Sequence, residues 1–128
     1  MIEIFILLSM LFMHIVDDYY LQGILASMKQ KAWWKKQESY KDFYKYDYIV
    51  ALIMHSFSWA FMVMMPIALA MGFSITIGFA VTLLVNTVIH FIVDNLKANK
   101  MKINLVQDQS IHIAQIVATF VLFLVFWR

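Results

Sequence analysis

All four histidines of the chain lie in strongly apolar segments, and three of them stand four residues from an aspartate. His14 precedes Asp18 in HIVDD and His90 precedes Asp94 in HFIVD, whereas in DQSIH the order reverses, with Asp108 before His112. Side chains at i and i+4 share one helical face about one turn apart. Each pair therefore aims an imidazole and a carboxylate in one direction. His55, the fourth histidine, has no aspartate one turn away. Ionisable groups inside apolar helices are costly, and in membranes they mark functional positions. Four imidazoles with three carboxylates suit a divalent metal, either one ion or two sharing a carboxylate. Zinc is the first choice, and manganese or iron would accept the same donors. Two other readings compete with a metal site: a His–Asp hydrogen-bond network that only fixes helix packing, and a relay for protons or ions.

Further polar residues follow the same stripes. Asp17 could replace Asp18, being three residues from His14, but Asp18 matches the spacing of the other pairs. Gln22 is one turn past Asp18 and Asn86 one turn before His90, while Lys97 and Gln109 flank the pairs. Each could orient a ligand or contact substrate; ordinary interhelical hydrogen bonds are the alternative. Met54, Met62, Met64 and Met65 do not pair with a histidine at useful spacing and read as packing or lipid-facing residues rather than a copper site.

The elements that must position these residues are membrane helices. The chain has 128 residues, is 63% hydrophobic and has mean hydropathy +0.76. A soluble domain of that length cannot hide so much apolar surface. The expected fold is all-α: one domain, an integral membrane four-helix bundle. A span needs about 20 predominantly apolar residues. Four stretches qualify, about 2–26, 49–71, 74–95 and 108–127, and Asp17 and Asp18 make the first the weakest. Pro66 is a candidate kink, and Gly72-Phe73 predicts a very short turn and an antiparallel hairpin. Glu3 and the lack of a small-residue cleavage site argue against a cleaved signal. The absence of cysteine excludes disulfide scaffolds, thiolate metal sites and cysteine nucleophiles.

Charge sets the orientation. Loop 27–47 carries Lys29, Lys31, Lys35, Lys36, Lys41 and Lys45 against Glu38, Asp42 and Asp47, and loop 96–107 carries Lys97, Lys100 and Lys102. An even number of spans puts both loops on one face, which the positive-inside rule makes cytoplasmic. The expected protein is multi-pass in the cytoplasmic (inner) membrane with both termini extracytoplasmic; Arg128 alone opposes this. Trp33, Trp34, Tyr40, Phe43, Tyr44, Tyr46 and Tyr48 make the first loop an interfacial anchor, or a surface that gathers anionic lipid headgroups. Nucleic acid is not an expected partner, because topology accounts for the basic charge. With this orientation His14, Asp18, His55, His90, Asp94, Asp108 and His112 all fall at one depth, near the cytoplasmic surface.

The motifs resemble those of the domain-of-unknown-function family numbered 3307, small bacterial and phage multi-pass membrane proteins. Its pattern is met by His14, Asp18, Tyr19, Leu21 and Gln22, by the mid-chain His55, by His90, Asp94 and Lys97, and by Asp108, Gln109 and His112. Tyr19 stands where that family usually has phenylalanine. The resemblance covers nearly the whole chain and implies no activity. In architecture and residue types the layout is also similar to membrane-bound metal-dependent hydrolases.

The expected function is a metal-dependent hydrolase at the cytoplasmic membrane surface, acting on a phospholipid or another phosphoester or acyl amphiphile. His14, Asp18, His90, Asp94, Asp108 and His112 are expected as ligands. The candidate catalytic residues are Asp94, a carboxylate free to act as base, and His55, a ligand or the acid for the leaving group. One alternative is a metal or proton transporter or channel, although 67–71 and 117–126 read as apolar and a through-pathway would call for a homo-oligomer. The other is a non-catalytic module, such as a phage-encoded modifier of a host membrane protein, stapled by its metal.

Overall fold

The computed structural model describes residues 1–37 and 43–128. Glu38, Tyr40, Lys41 and Asp42 of the expected basic loop lie outside the described residues. Helix α1 (Ile2–Ile15) runs on through a π-helical turn, Val16–Leu21. Two short helices follow, α2 (Leu25–Met28) and α3 (Lys31–Trp34), then the long α4 (Asp47–Ala70) and α5 (Ile77–Ala98). The last helix, α6 (Leu105–Leu122), also ends in a π-helical turn, Phe123–Trp127. The fold is an all-α bundle with four helices long and apolar enough to cross a membrane: Ile2–Leu21, Asp47–Ala70, Ile77–Ala98 and Leu105–Trp127. Less than half of each is buried against the rest of the chain. Phe5, Leu8 and Phe12 on α1, with Leu84 and Val88 on α5, face outward, an apolar surface suited to lipid.

The start of the first span, both ends of the second and the end of the fourth fall within two residues of where hydropathy places them, and the other ends fall about a turn away. The first span stops at Leu21, because Gly23 takes a left-handed backbone (φ +48) and turns the chain into α2. The connection between α4 and α5 is longer than Gly72-Phe73 alone: both residues have positive φ, and α5 starts only where Thr76 Oγ1 accepts from Phe79 N at 3.1 Å. The α5 helix continues to Ala98, which puts Lys97 on the helix, one turn past Asp94, rather than in a loop. Asn104 opens α6 with a reciprocal cap. Its side chain accepts from Gln107 N at 2.9 Å, and Gln107 Oε1 accepts from Asn104 N at 3.0 Å. Asp108 therefore sits inside the first turn instead of beginning the helix.

The bundle divides along its length. Toward the Gly72 turn it is filled by Ile6, Val63, Met64, Ile67, Phe79, Ile116 and Phe123. Toward the lysine-bearing end the same helices bury polar groups, with Trp59 at the boundary. The π-helical turn matters here. An α-helix would close each hydrogen bond on a four-residue step. Gln22 N instead donates to Asp17 O at 3.1 Å, a five-residue step, and both Asp17 and Asp18 are buried. π-bulges are frequent at functional sites.

Candidate metal centre

His55 is the hub. Its Nε2 lies 3.2 Å from His90 Nε2, 3.4 Å from Asp18 Oδ1 and 3.3 Å from Asp94 Oδ2. Beside it, His112 Nε2 is 3.6 Å from Asp94 Oδ1 and 3.4 Å from Asp108 Oδ1, and His90 Nε2 is 3.7 Å from Asp94 Oδ1. Among the described residues, two groups of three are compact enough to close on one ion: Asp18, His55 and His90, and His90, Asp94 and His112. They share His90. All five residues are buried.

Two observations test whether these residues fit a cation. Ligand atoms bonded to a tetrahedral zinc at about 2.0–2.1 Å stand about 3.3–3.4 Å from one another. The separations here, from 3.2 to 3.7 Å, bracket that edge length. They exceed the roughly 2.7–2.9 Å of a charge-assisted hydrogen bond. In addition, Asp17 Oδ2, Gln22 Oε1, His55 Nδ1, His90 Nδ1, Asp108 Oδ1 and His112 Nε2 are buried without a hydrogen-bond partner. A buried polar atom left so costs about 1–3 kcal/mol. These orphans all belong to the cluster or its rim. The residues fit a divalent cation.

The surrounding groups hold the imidazoles in place. Gln115 Nε2 donates to Asn86 O and Oδ1, both at 3.3 Å, so its Oε1 faces His112 Nδ1, also at 3.3 Å. The His112 proton then sits on Nδ1 and leaves the Nε2 lone pair toward the carboxylates. Asn86 in turn donates to Thr119 Oγ1 at 2.8 Å. Asn86, expected beside His90, thus acts behind His112 and two steps away. Ser58 Oγ donates to Asp17 Oδ1 at 2.6 Å, and Asp17 Oδ2 lies 3.8 Å from His55 Nδ1. The carboxylate stands behind His55 on the side away from the cluster, beyond hydrogen-bond distance. Gln109 links three members: Nε2 donates to Asp18 Oδ2 (3.2 Å) and Asp108 Oδ2 (3.0 Å), and Oε1 accepts from His14 Nε2 (2.9 Å). Gln22 donates to the Asp18 backbone carbonyl.

His14 departs from its expected role as a ligand. Trp59 Nε1 donates to its Nδ1 at 2.8 Å, and its Nε2 proton goes to Gln109. Both nitrogens are taken, and the ring braces the site from the side. Asp108 is only half available: Lys97 Nζ binds its Oδ2 at 2.5 Å, while Oδ1 faces His112. Asp17 and Asp18 are both buried at the site rather than one in place of the other, Asp18 beside His55 Nε2 and Asp17 on the Nδ1 side of the same ring. His55, unpaired along its own helix, gains its carboxylates from α1's extension and α5.

Lys29, Ser58, Trp59 and Gln115 also belong to the site, although in sequence Lys29 reads only as a topology charge and the other three are not among the expected site residues. Trp59 is fully buried and stacks on His90 at 4.3 Å between centroids, inclined by 22°. Lys29 Nζ binds Asp94 Oδ2 at 2.7 Å. Spacing carried a signal for three of the four: Ser58 and Trp59 are three and four residues from His55, and Gln115 is three residues from His112. Replacing Trp59 with Phe keeps most of the volume but strips the donor from His14 Nδ1. The expected cost is about 1–3 kcal/mol, read as a lower unfolding midpoint in detergent; an unchanged midpoint would mean the indole only fills space.

Among known proteins, the model of the family described as a protein of unknown function, DUF3307, matches residues 6–127. No curated protein and no solved structure matches the chain.

Proposed function

The chain belongs to the DUF3307 family, whose description assigns no activity, and from the site itself we propose that it is a membrane-embedded, metal-dependent hydrolase. The observation that carries the reading is the set of imidazole and carboxylate atoms from separate helices at 3.2–3.7 Å, close to the spacing of ligands around one ion. Asp18, His55 and His90, or His90, Asp94 and His112, would hold the cation. Zinc is the first choice, with manganese or iron as substitutes. A divalent ion there supplies Lewis acidity, which lowers the pKa of water and polarises a phosphoryl or acyl oxygen.

The chain's own residues supply the rest. Asp94 Oδ1 faces His90 and His112, while Oδ2 faces both His55 and Lys29 at the edge of a cleft at the lysine-bearing end, the position for a base that takes a proton from water. His55, enclosed by Asp18, Asp94 and His90, is better placed as a ligand than as an acid for the leaving group. Trp59 and the apolar half of the bundle close the floor against water. By the positive-inside rule the lysine-bearing end faces the cytoplasm, with both termini outside the inner membrane. A site at that depth suits an amphiphile, a phospholipid or another phosphoester or acyl ester.

The transport alternative is weakened by the packing. A polar ladder does leave the cluster through His112, Gln115, Asn86 and Thr119, a residue within the stretch that reads as apolar in sequence. Beyond Thr119 the buried side chains are Ile67, Phe79 and Phe123. Detergent-purified protein loaded with zinc or manganese should hydrolyse at least one member of a panel of phosphoester and acyl-ester amphiphiles, and a chelator should stop it. A loaded protein inert across the panel, yet unfolding on chelation, would make the ion a staple instead.

A further inference from the structure

The cluster opens to the surface through a cleft of about 370 Å³ between the end of the first membrane helix, α2 and the end of α5. Gln22, Lys29, Asp94 and Lys97 line it. Its two cations are held in place rather than waving in solvent. The Lys29 side chain is 12% exposed, and its ammonium rests on Asp94. Asn99, at the end of α5, clamps the backbone that carries it: Nδ2 donates to Lys29 O at 3.0 Å, and Oδ1 accepts from Lys31 N at 2.7 Å. Lys97 leans the other way, onto Asp108. Gln22 adds a buried acceptor, Oε1, that has no partner. Beside the cleft, Leu21, Ile24 and Met101 are exposed and apolar.

Asp94 therefore faces a competition. A lysine ammonium and a divalent ion would draw on the same carboxylate, and an ion there weakens the hold on Lys29. Asp108, next to His112, ties Lys97 in the same way. The geometry points to a phosphate-binding subsite in this cleft, in which Lys29 and Lys97 turn from their carboxylates to an incoming phosphate group once a cation is held below. This rests on the metal reading above. Two ammonium groups from separate elements, above a cation, match the charge of a phosphate monoester better than the neutral carbonyl of an acyl ester. Cation and phosphate then bind with positive cooperativity, and by linkage each strengthens the other equally.

The test measures zinc affinity of the full chain in detergent, by competition with a chelator, with and without phenylphosphonate. In the wild type the phosphonate should tighten zinc about tenfold, within the usual range of coupling between sites. Lys29→Met should bind zinc at least as tightly as wild type without phosphonate, and should lose the tightening. Lys29→Arg should keep it, which guards against a folding artefact. Vesicles of phosphatidylcholine with and without phosphatidic acid form the second arm. Tightening by phosphatidic acid assigns the phosphate to a lipid, and tightening by phenylphosphonate alone assigns it to a soluble ester. Zinc binding that phosphonate leaves unchanged, or tightening that survives in Lys29→Met combined with Lys97→Met, overturns the subsite and leaves the metal reading standing. Failure of the wild type to bind zinc at all removes both.

Discussion

Purified in mild detergent and equilibrated with zinc, the wild-type chain should carry about one ion per chain, and His90→Ala close to none. His90 belongs to both three-residue groups, so its loss leaves neither with three ligands. A single Nε2 lone pair also serves only one ion, which favours one over two. Charge agrees. Asp17, Asp18, Asp94 and Asp108 are buried carboxylates, and Lys29 and Lys97 pair with two of them. Two negative charges remain in a desolvated place, where uncompensated charge costs several kcal/mol per ion. One divalent cation cancels them. Loading should raise stability as well, by about 4 kcal/mol when free zinc exceeds its dissociation constant 1,000-fold. The unfolding midpoint of the wild type should therefore rise with zinc, and that of His90→Ala should not. Near-zero metal in both proteins, with no shift in midpoint, would reduce the cluster to an interhelical hydrogen-bond network.

Much of this site was legible before any fold was known, and the reason is helical periodicity. His90 with Asp94 and Asp108 with His112 announce themselves because an α-helix turns i+4 spacing into proximity. What spacing cannot show is contact between helices. His55 looked weakest along its own helix, yet it meets Asp18 at 3.4 Å and Asp94 at 3.3 Å from two other elements. His14 looked as strong as the rest, but Trp59 reached it from α4 first. Asp17 stood second to Asp18 because it missed the i+4 spacing of the other pairs, yet both are buried, and Asp17 accepts from Ser58 on α4. Lys29 read as one more charge in a topology count, and only the fold carries its ammonium to Asp94, 65 residues away. The spans themselves followed from hydropathy. Half of their ends did not, because caps such as Asn104 with Gln107 and turns such as Gly23 act through hydrogen bonds and backbone angles that hydropathy ignores.

Asp94→Asn should insert and fold like the wild type and still lose turnover by more than about 100-fold, the upper end of what loss of a mere supporting partner costs in metal sites. The amide matches the carboxylate in shape, so packing at this buried position is preserved. It keeps one acceptor oxygen, enough for Lys29 or for a histidine but not for both. What it loses is the negative charge and the basic oxygen, and Asp94 is the one carboxylate that meets three imidazole-bearing neighbours while also lining the cleft. Asp18 is the natural comparison. It is tied to Gln109 and His55 and does not line the cleft, and Asp18→Asn should act mainly through zinc affinity, with turnover recovering as zinc is added. Asp94→Asn should not recover at saturating zinc, because a base is missing and not only a ligand. Recovery of both variants to wild-type turnover would strip Asp94 of a role in proton transfer and leave it a ligand. Retention of wild-type turnover by Asp94→Asn without added zinc would move the chemistry away from this cluster altogether.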